Sequence, residues 1–150
     1  MANLHSQYTY DDALKLKAAA LVAATANGSI ILDLGNGKID TDLVVDVTAL
    51  EVDTNDESYE IIVQGSPDAA FGTAANIRPL ACMTLGAAGS ARGAAGVLGI
   101  GANDAIGRYV ISFRNERNGT TYRYIRIRTV VVGTIATGIN YSAFVAAKDQ

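Results

Sequence analysis

The chain has 150 residues, 49% of them apolar, and a formal net charge of −3. That length closes one core burying about 68–70% of the unfolded surface without disulfides or metals, and the single Cys82 has no internal partner to bridge. A net negative chain lacks the broad positive field that phosphate binding requires, no uncharged apolar run approaches the ~18–20 residues that span a bilayer, and no charged-then-apolar leader opens the sequence. The expectation is a soluble protein assembled in a reducing cytoplasm, without nucleic-acid or membrane partners.

In chain order, residues 1–12 are polar, carry Tyr8 and Tyr10, and have no core pattern of their own. They read as an N-terminal arm that orders only against something else. Residues 13–26 are ambiguous: alanine and lysine favour a helix capped by Asp11 or Asp12, whereas Leu14, Leu16 and Ala18 alternate with Lys15 and Lys17 as in a strand. Strands follow at 29–35, ending at Asn36-Gly37, at 42–50, and at 58–65 after an acidic loop. Ser66-Pro67-Asp68 then makes a sharp exit, with Pro67 preset for the second turn position, Asp68 able to bond the backbone ahead, and Phe71 anchoring the loop on the core. From about residue 80 to 107 the pattern breaks. Residues 86–107 hold seven glycines and seven alanines, too little bulk for a core, and read as a long flexible loop. A last strand spans 138–147. Twelve valines and 13 isoleucines against 11 leucines fit this all-β grammar, and seven or eight strands in an antiparallel meander or Greek key result. The domain plan is an arm over 1–12 and one β-sandwich domain over 13–150.

Residues 107–132 read as two period-2 strands about a tight turn. With Arg117-Asn118-Gly119 as a three-residue loop and Gly119 left-handed, Tyr109 pairs with Ile127, Ile111 with Ile125, and Phe113 covers the stem of Arg123. The opposite face then carries Val110, Ser112 and Arg114 against Arg126, Tyr124 and Tyr122, with Arg108 across from Arg128. Like charges opposed across a ladder repel, so this pair needs an acidic partner. The arginine and tyrosine strip carries residue types enriched at protein interfaces, and on a lone monomer it is also compatible with a solvated β face. Charge is split along the chain: residues 1–75 have three lysines against twelve acids, a balance of −9, and residues 76–150 have nine bases against three acids, +6. The halves neutralise each other within one sandwich or meet between subunits or partners.

Motifs for chemistry fail. The one histidine, His5, lies in the arm, which argues against a nucleophile-base pair. Ser90 stands one place early for a nucleophile elbow in Gly89-Ser90-Ala91-Arg92-Gly93, and Gly99-Ile100-Gly101 has Asp104 where the third glycine belongs. Asp53-Thr54-Asn55-Asp56-Glu57 starts like a calcium loop but has Ser58 in place of its glycine, and is better read as a solvated acidic hairpin loop. The sequons at Asn27, Asn118 and Asn140 carry no weight without a secretory context. No catalytic residue, cofactor or metal is expected.

ILDLG (31–35), VQGSPDAAFGT (63–73) with Gln64, Ser66, Asp68 and Phe71, YRYIRIRTVVVGTIATG (122–138) and SAFVA (142–146) occur in an order and spacing that resemble the capsid cement (decoration) proteins of tailed bacteriophages, the jelly-roll family typified by a Bordetella phage cement protein. The resemblance runs from about Ala20 to Lys148 and departs from the pattern in the arm and the Ala/Gly-rich block. It implies a homo-oligomeric, jelly-roll-like sandwich, and the strip bearing Tyr122, Tyr124 and Arg126, costly to leave partly desolvated on a monomer, favours a dimer over a trimer. Such a protein is assembled in the host bacterial cytoplasm and binds the outside of an icosahedral head, where it stabilises contacts between major capsid protein subunits. The alternatives are another phage structural β-module, of a tail or head vertex, or a carbohydrate-binding jelly roll using Tyr122, Tyr124 and Asn140. Interface candidates are Tyr8, Tyr10, Arg108, Arg114, Tyr122, Tyr124, Arg126 and Arg128; Ser66, Pro67, Asp68, Phe71, Asn118 and Gly119 are structural turn residues.

Overall fold

The computed structural model describes residues 10–86 and 104–147. The ambiguous N-terminal segment divides in two. Asp11 caps a short 3-10 helix, Asp12–Leu14, its carboxylate accepting from the Ala13 N–H at 2.9 Å, and strand β1, Lys15–Val22, follows at once. Short strands β2 (Ala26–Asn27) and β3 (Leu32–Asp33) precede β4 (Asp40–Leu50) and β5 (Ser58–Ser66). Then come β6 (Arg78–Gly86), β7 (Gly107–Arg114), a two-residue pair β8 (Glu116–Arg117) and β9 (Thr120–Thr121), β10 (Tyr124–Val132) and β11 (Ile139–Ala147).

The described residues thus hold eleven strands, several of them only two residues long. Of the strand expected over 29–35, only Leu32–Asp33 is paired. Residues 80–86 belong to β6 rather than to a loop, because β5 offers them a full antiparallel partner from Ser58↔Gly86 to Gly65↔Arg78. Residues 87–103 of the expected flexible block lie outside the described residues.

The strands form an antiparallel sandwich. One sheet has the order β1-β11-β4-β7; the second has the order β2-β10-β5-β6, with β3 also on β10. Alternation sends Leu43, Val45 and Val47 of β4, Tyr59, Ile61 and Val63 of β5, Ile125 and Ile127 of β10, and Ile139, Tyr141 and Val145 of β11 into one buried cluster. Tyr141 on β11 and Thr129 on β10 share a buried hydroxyl–hydroxyl hydrogen bond that ties the sheets together.

The segment 107–132 is not a hairpin of one sheet. β7 pairs with β4 (Val45↔Tyr109, Leu43↔Ile111, Thr41↔Phe113) and β10 with β5 (Val63↔Ile127, Gly65↔Ile125). Along β7 and β10 each side chain keeps the inward or outward sense that alternation predicts, but its neighbours differ, and Tyr122 and Arg123, which precede β10, depart from it. The turn differs too: Arg117 pairs with Thr120, and Asn118 and Gly119 alone form the loop at φ 51° and 80°, the two left-handed residues of a type I′ turn. Electrostatics favours the parting. Pairing β7 with β10 would oppose Arg108 to Arg128, whereas β4 meets β7 with Asp46↔Arg108, Asp42↔Ser112 and Asp40↔Arg114.

Asn115 makes the corner between the sheets. It is fully buried; its Oδ1 accepts from the Ile39 N–H at 2.8 Å, and its Nδ2 donates to Gly37 O at 2.9 Å and Tyr122 O at 3.3 Å. Its backbone also bonds Ile39 and Tyr122. One side chain therefore holds three segments where the chain crosses from sheet to sheet.

Candidate protein interface

The fold divides the anticipated strip among three places. Arg108 and Arg114 lie on the outer face of the β1-β11-β4-β7 sheet. Tyr124, Arg126 and Arg128 lie on the outer face of the opposite sheet, a consequence of the pairings above. Tyr122 lies on neither; it is buried, 7% exposed, at the end of the sandwich beside the corner. Tyr8 lies outside the described residues.

On the first outer face every described arginine is matched to an aspartate. Arg108 makes a two-pronged contact with Asp46 at 2.6 and 2.9 Å, and Arg114 with Asp40 at 2.8 and 2.6 Å. The acidic partner that Arg108 needs is thus supplied by its own chain, and the hydrogen-bonded carboxylates raise both guanidinium pKa values. Ser112 donates to Asp42 at 2.6 Å. Beside these pairs Val44, Phe144 and Ala146 form a second buried apolar cluster. Tyr10, the first described residue of the arm, packs edge-on against Phe144 with ring centroids 5.2 Å apart, while its hydroxyl donates to Asp12. At the far edge of the other sheet, Arg123 pairs with Asp33 at 2.7 Å. That bond, with the Gly35 N–H, holds the Asp33 carboxyl at about 2. Much of the opposed charge of the two chain halves is thus neutralised within the sandwich.

The second outer face is built otherwise. Arg126 donates to the Gln64 amide at 3.0 Å and Arg128 to the Asn27 amide at 3.2 Å. Among the described residues no carboxylate lies within salt-bridge distance of either. Burial, followed by the charge of Arg128 two residues on, pulls the Arg126 pKa below its ordinary value. Arg126 lies over the Phe71 ring at 4.2 Å, and Arg123 over Tyr124 at 5.1 Å. The loop after β5 sets Phe71. Ser66 Oγ accepts from Asp68 N at 3.0 Å, the Asp68 carboxylate accepts from Ala70 N and Gly72 N, and Phe71 takes φ 50°. Phe71 is buried under Arg126 on the outside of the sheet rather than in the core cluster, because the turn at exposed Pro67 carries the chain outward. Ile62 and Val130 lie beside the arginines on this face, which also carries Glu60 opposite Val130.

Three acidic residues are structural, and one of them, Glu57 of the loop expected to be solvated, is fully buried. Glu51 accepts the N–H groups of Ala136, Thr137 and Gly138 at 2.8, 2.6 and 2.5 Å, which lower its carboxyl to about 2. The nearest sequence signal was Gly133 to Gly138, a run of small and polar residues in need of an acceptor. In the loop that begins like a calcium site, Asp56 accepts from Thr134 N and Oγ1, and Glu57 from Thr54 N and Oγ1. These carboxylates bind loops together, and no group of three or more His, Cys, Asp or Glu among the described residues is placed to hold a metal ion. Asn140, on β11 between Leu21 and Ala49, stands on the other sheet from Tyr124, so the residues named for a glycan platform do not meet. No described helix is long and apolar enough to cross a membrane. No protein-family model matches the chain, and no curated protein matches it well enough to count as a relative.

Proposed function

We propose that the chain is a structural virion protein of a tailed phage, a cement protein that binds the outside of the head at contacts between major capsid subunits and itself pairs as a homodimer. The observation that carries this reading is the electrostatic contrast between the outer faces. Arg108 and Arg114 are matched by Asp46 and Asp40, while Arg126 and Arg128, flanked by Tyr124, Ile62 and Val130, bond to amides and, among the described residues, to no carboxylate. A rigid face of charged-ready arginines and aromatics is a surface for a partner that brings acid. Many copies, each adding a modest interface, sum to a large stabilisation of a shell. The sequence resemblance to jelly-roll cement proteins selects the shell among possible partners.

Capsids imaged with and without the protein, and heated in both states, test the reading. Decorated heads should rupture at higher temperature, and density should lie over capsid subunit junctions with the β10 face inward. Heads that burst at the same temperature bare or decorated would remove the cement role. A sandwich of the same build that decorates tails or vertices would then be the remaining virion assignment.

A further inference from the structure

At the end of the sandwich, where the β8-β9 turn leans over the start of β6, a cleft of about 330 Å³ is lined by Arg78, Arg117, Asn118, Thr120 and Tyr122. That volume is at the small end for ligand sites and suits one compact polar group. Its lining consists of two guanidinium groups, an amide and two hydroxyls, without a carboxylate. Arg117 is fastened across the cleft by donating Nη1 to Pro79 O at 3.1 Å, and Arg78 is held by Ile77 O at 2.9 Å. Each keeps further N–H donors, and neither forms a salt bridge among the described residues. The neighbouring acid is already engaged, since Glu116 accepts from Lys38 at 3.0 Å and from Gly119 N.

Tyr122 supplies the independent observation. The residue as a whole is more than nine-tenths buried, yet it lines the cleft, and no hydrogen bond engages its hydroxyl among the described residues. The ring is set by Gly65, where an added Cβ would lie 2.7 Å from the Tyr122 Cβ and 2.8 Å from Leu80 Cδ1. Only a glycine at 65 allows the Tyr122 side chain to pack this closely on β5.

We propose that this cleft is an oxyanion site, taking one carboxylate or phosphate group between Arg78 and Arg117 with Tyr122 as a further donor. Planar guanidinium forks match both groups. The site lies at the end of the sandwich, apart from the Arg126 face, and does not depend on the cement role. Its anion comes either from an acidic side chain of another protein or from a free small anion, and the test separates the two. Amide NMR of the full chain is followed during titration with inorganic phosphate and with a capped Glu-Glu peptide, each against chloride at matched ionic strength. Saturable shifts at residues 78 and 117–122 are expected, weakened about tenfold by Arg117→Gln and by a smaller factor by Tyr122→Phe, which keeps the buried ring. Saturation by phosphate alone assigns the site to a free anion; tighter binding of the peptide assigns it to an acidic protein segment. Shifts that match chloride, fail to saturate, or survive both substitutions unchanged would overturn the proposal.

Discussion

The two outer faces of the sandwich each carry two arginines on one strand and differ in what those arginines meet. On β7, Arg108 and Arg114 find aspartates on β4; on β10, Arg126 and Arg128 find Gln64 on β5 and Asn27 on β2. Composition does not separate these cases. The neighbouring strand does, and among the described residues Arg126 and Arg128 form no salt bridge.

The largest expected effect comes from removing the corner that keeps the faces apart. Asn115→Ala orphans the Ile39 N–H and the Gly37 and Tyr122 carbonyls and should cost about 2–4 kcal/mol in denaturant unfolding. A loss below that range would mean the corner holds without its clip. Next is Gly119→Val, at φ 80° with open space around it. Here only backbone strain acts, and about 1–2 kcal/mol should be lost; an unchanged melting temperature would show that the turn relaxes freely.

Acid acts on the closed elements. Asp33 and Glu51 have folded-state values of about 2, below their ordinary range. Their stabilisation is therefore fully present above about pH 4–5 and is lost as pH falls toward 2. Unfolding midpoints followed from pH 6 to pH 2 should decline over that window, and less so in Glu51→Gln. A pH-independent midpoint would show that these carboxylates contribute nothing.

Arg108→Gln breaks an exposed pair and should cost only roughly 0.2–1 kcal/mol, with no change in self-association or capsid attachment. The double change Arg126→Gln and Arg128→Gln should have the smallest effect on stability, since no ion pair is broken, yet it alone should weaken pairing or attachment. Wild-type attachment should show the same loss as salt is raised, because exposed charges are screened over about 8–10 Å at physiological ionic strength. Light scattering and capsid pull-down read both. Equal behaviour of the two variants in attachment would erase the distinction between the faces.

Much of the fold was legible because period-2 alternation is a local property. Ile125 and Ile127 point inward, and Tyr124, Arg126 and Arg128 outward, whichever strand lies beside them. The all-β sandwich, the cap at Asp11 and the left-handed Gly119 follow from such short-range rules. The candidate interface was legible only as a set of residue types. Its grouping failed because β7 and β10, adjacent in sequence, are separated by the crossing at Asn115, and β4, more than sixty residues earlier, takes the place assigned to β10. Alternation says which side a residue faces and is silent on its neighbour across the ladder. That neighbour is chosen by the summed burial of two sheets and by where the acids of the first half can reach the bases of the second. For this chain, sequence alone determined strand character, inward and outward sense and the absence of net positive charge. Tertiary structure decided which arginines are neutralised and which remain to act, because a salt bridge depends on partners that only long-range pairing brings within 4 Å.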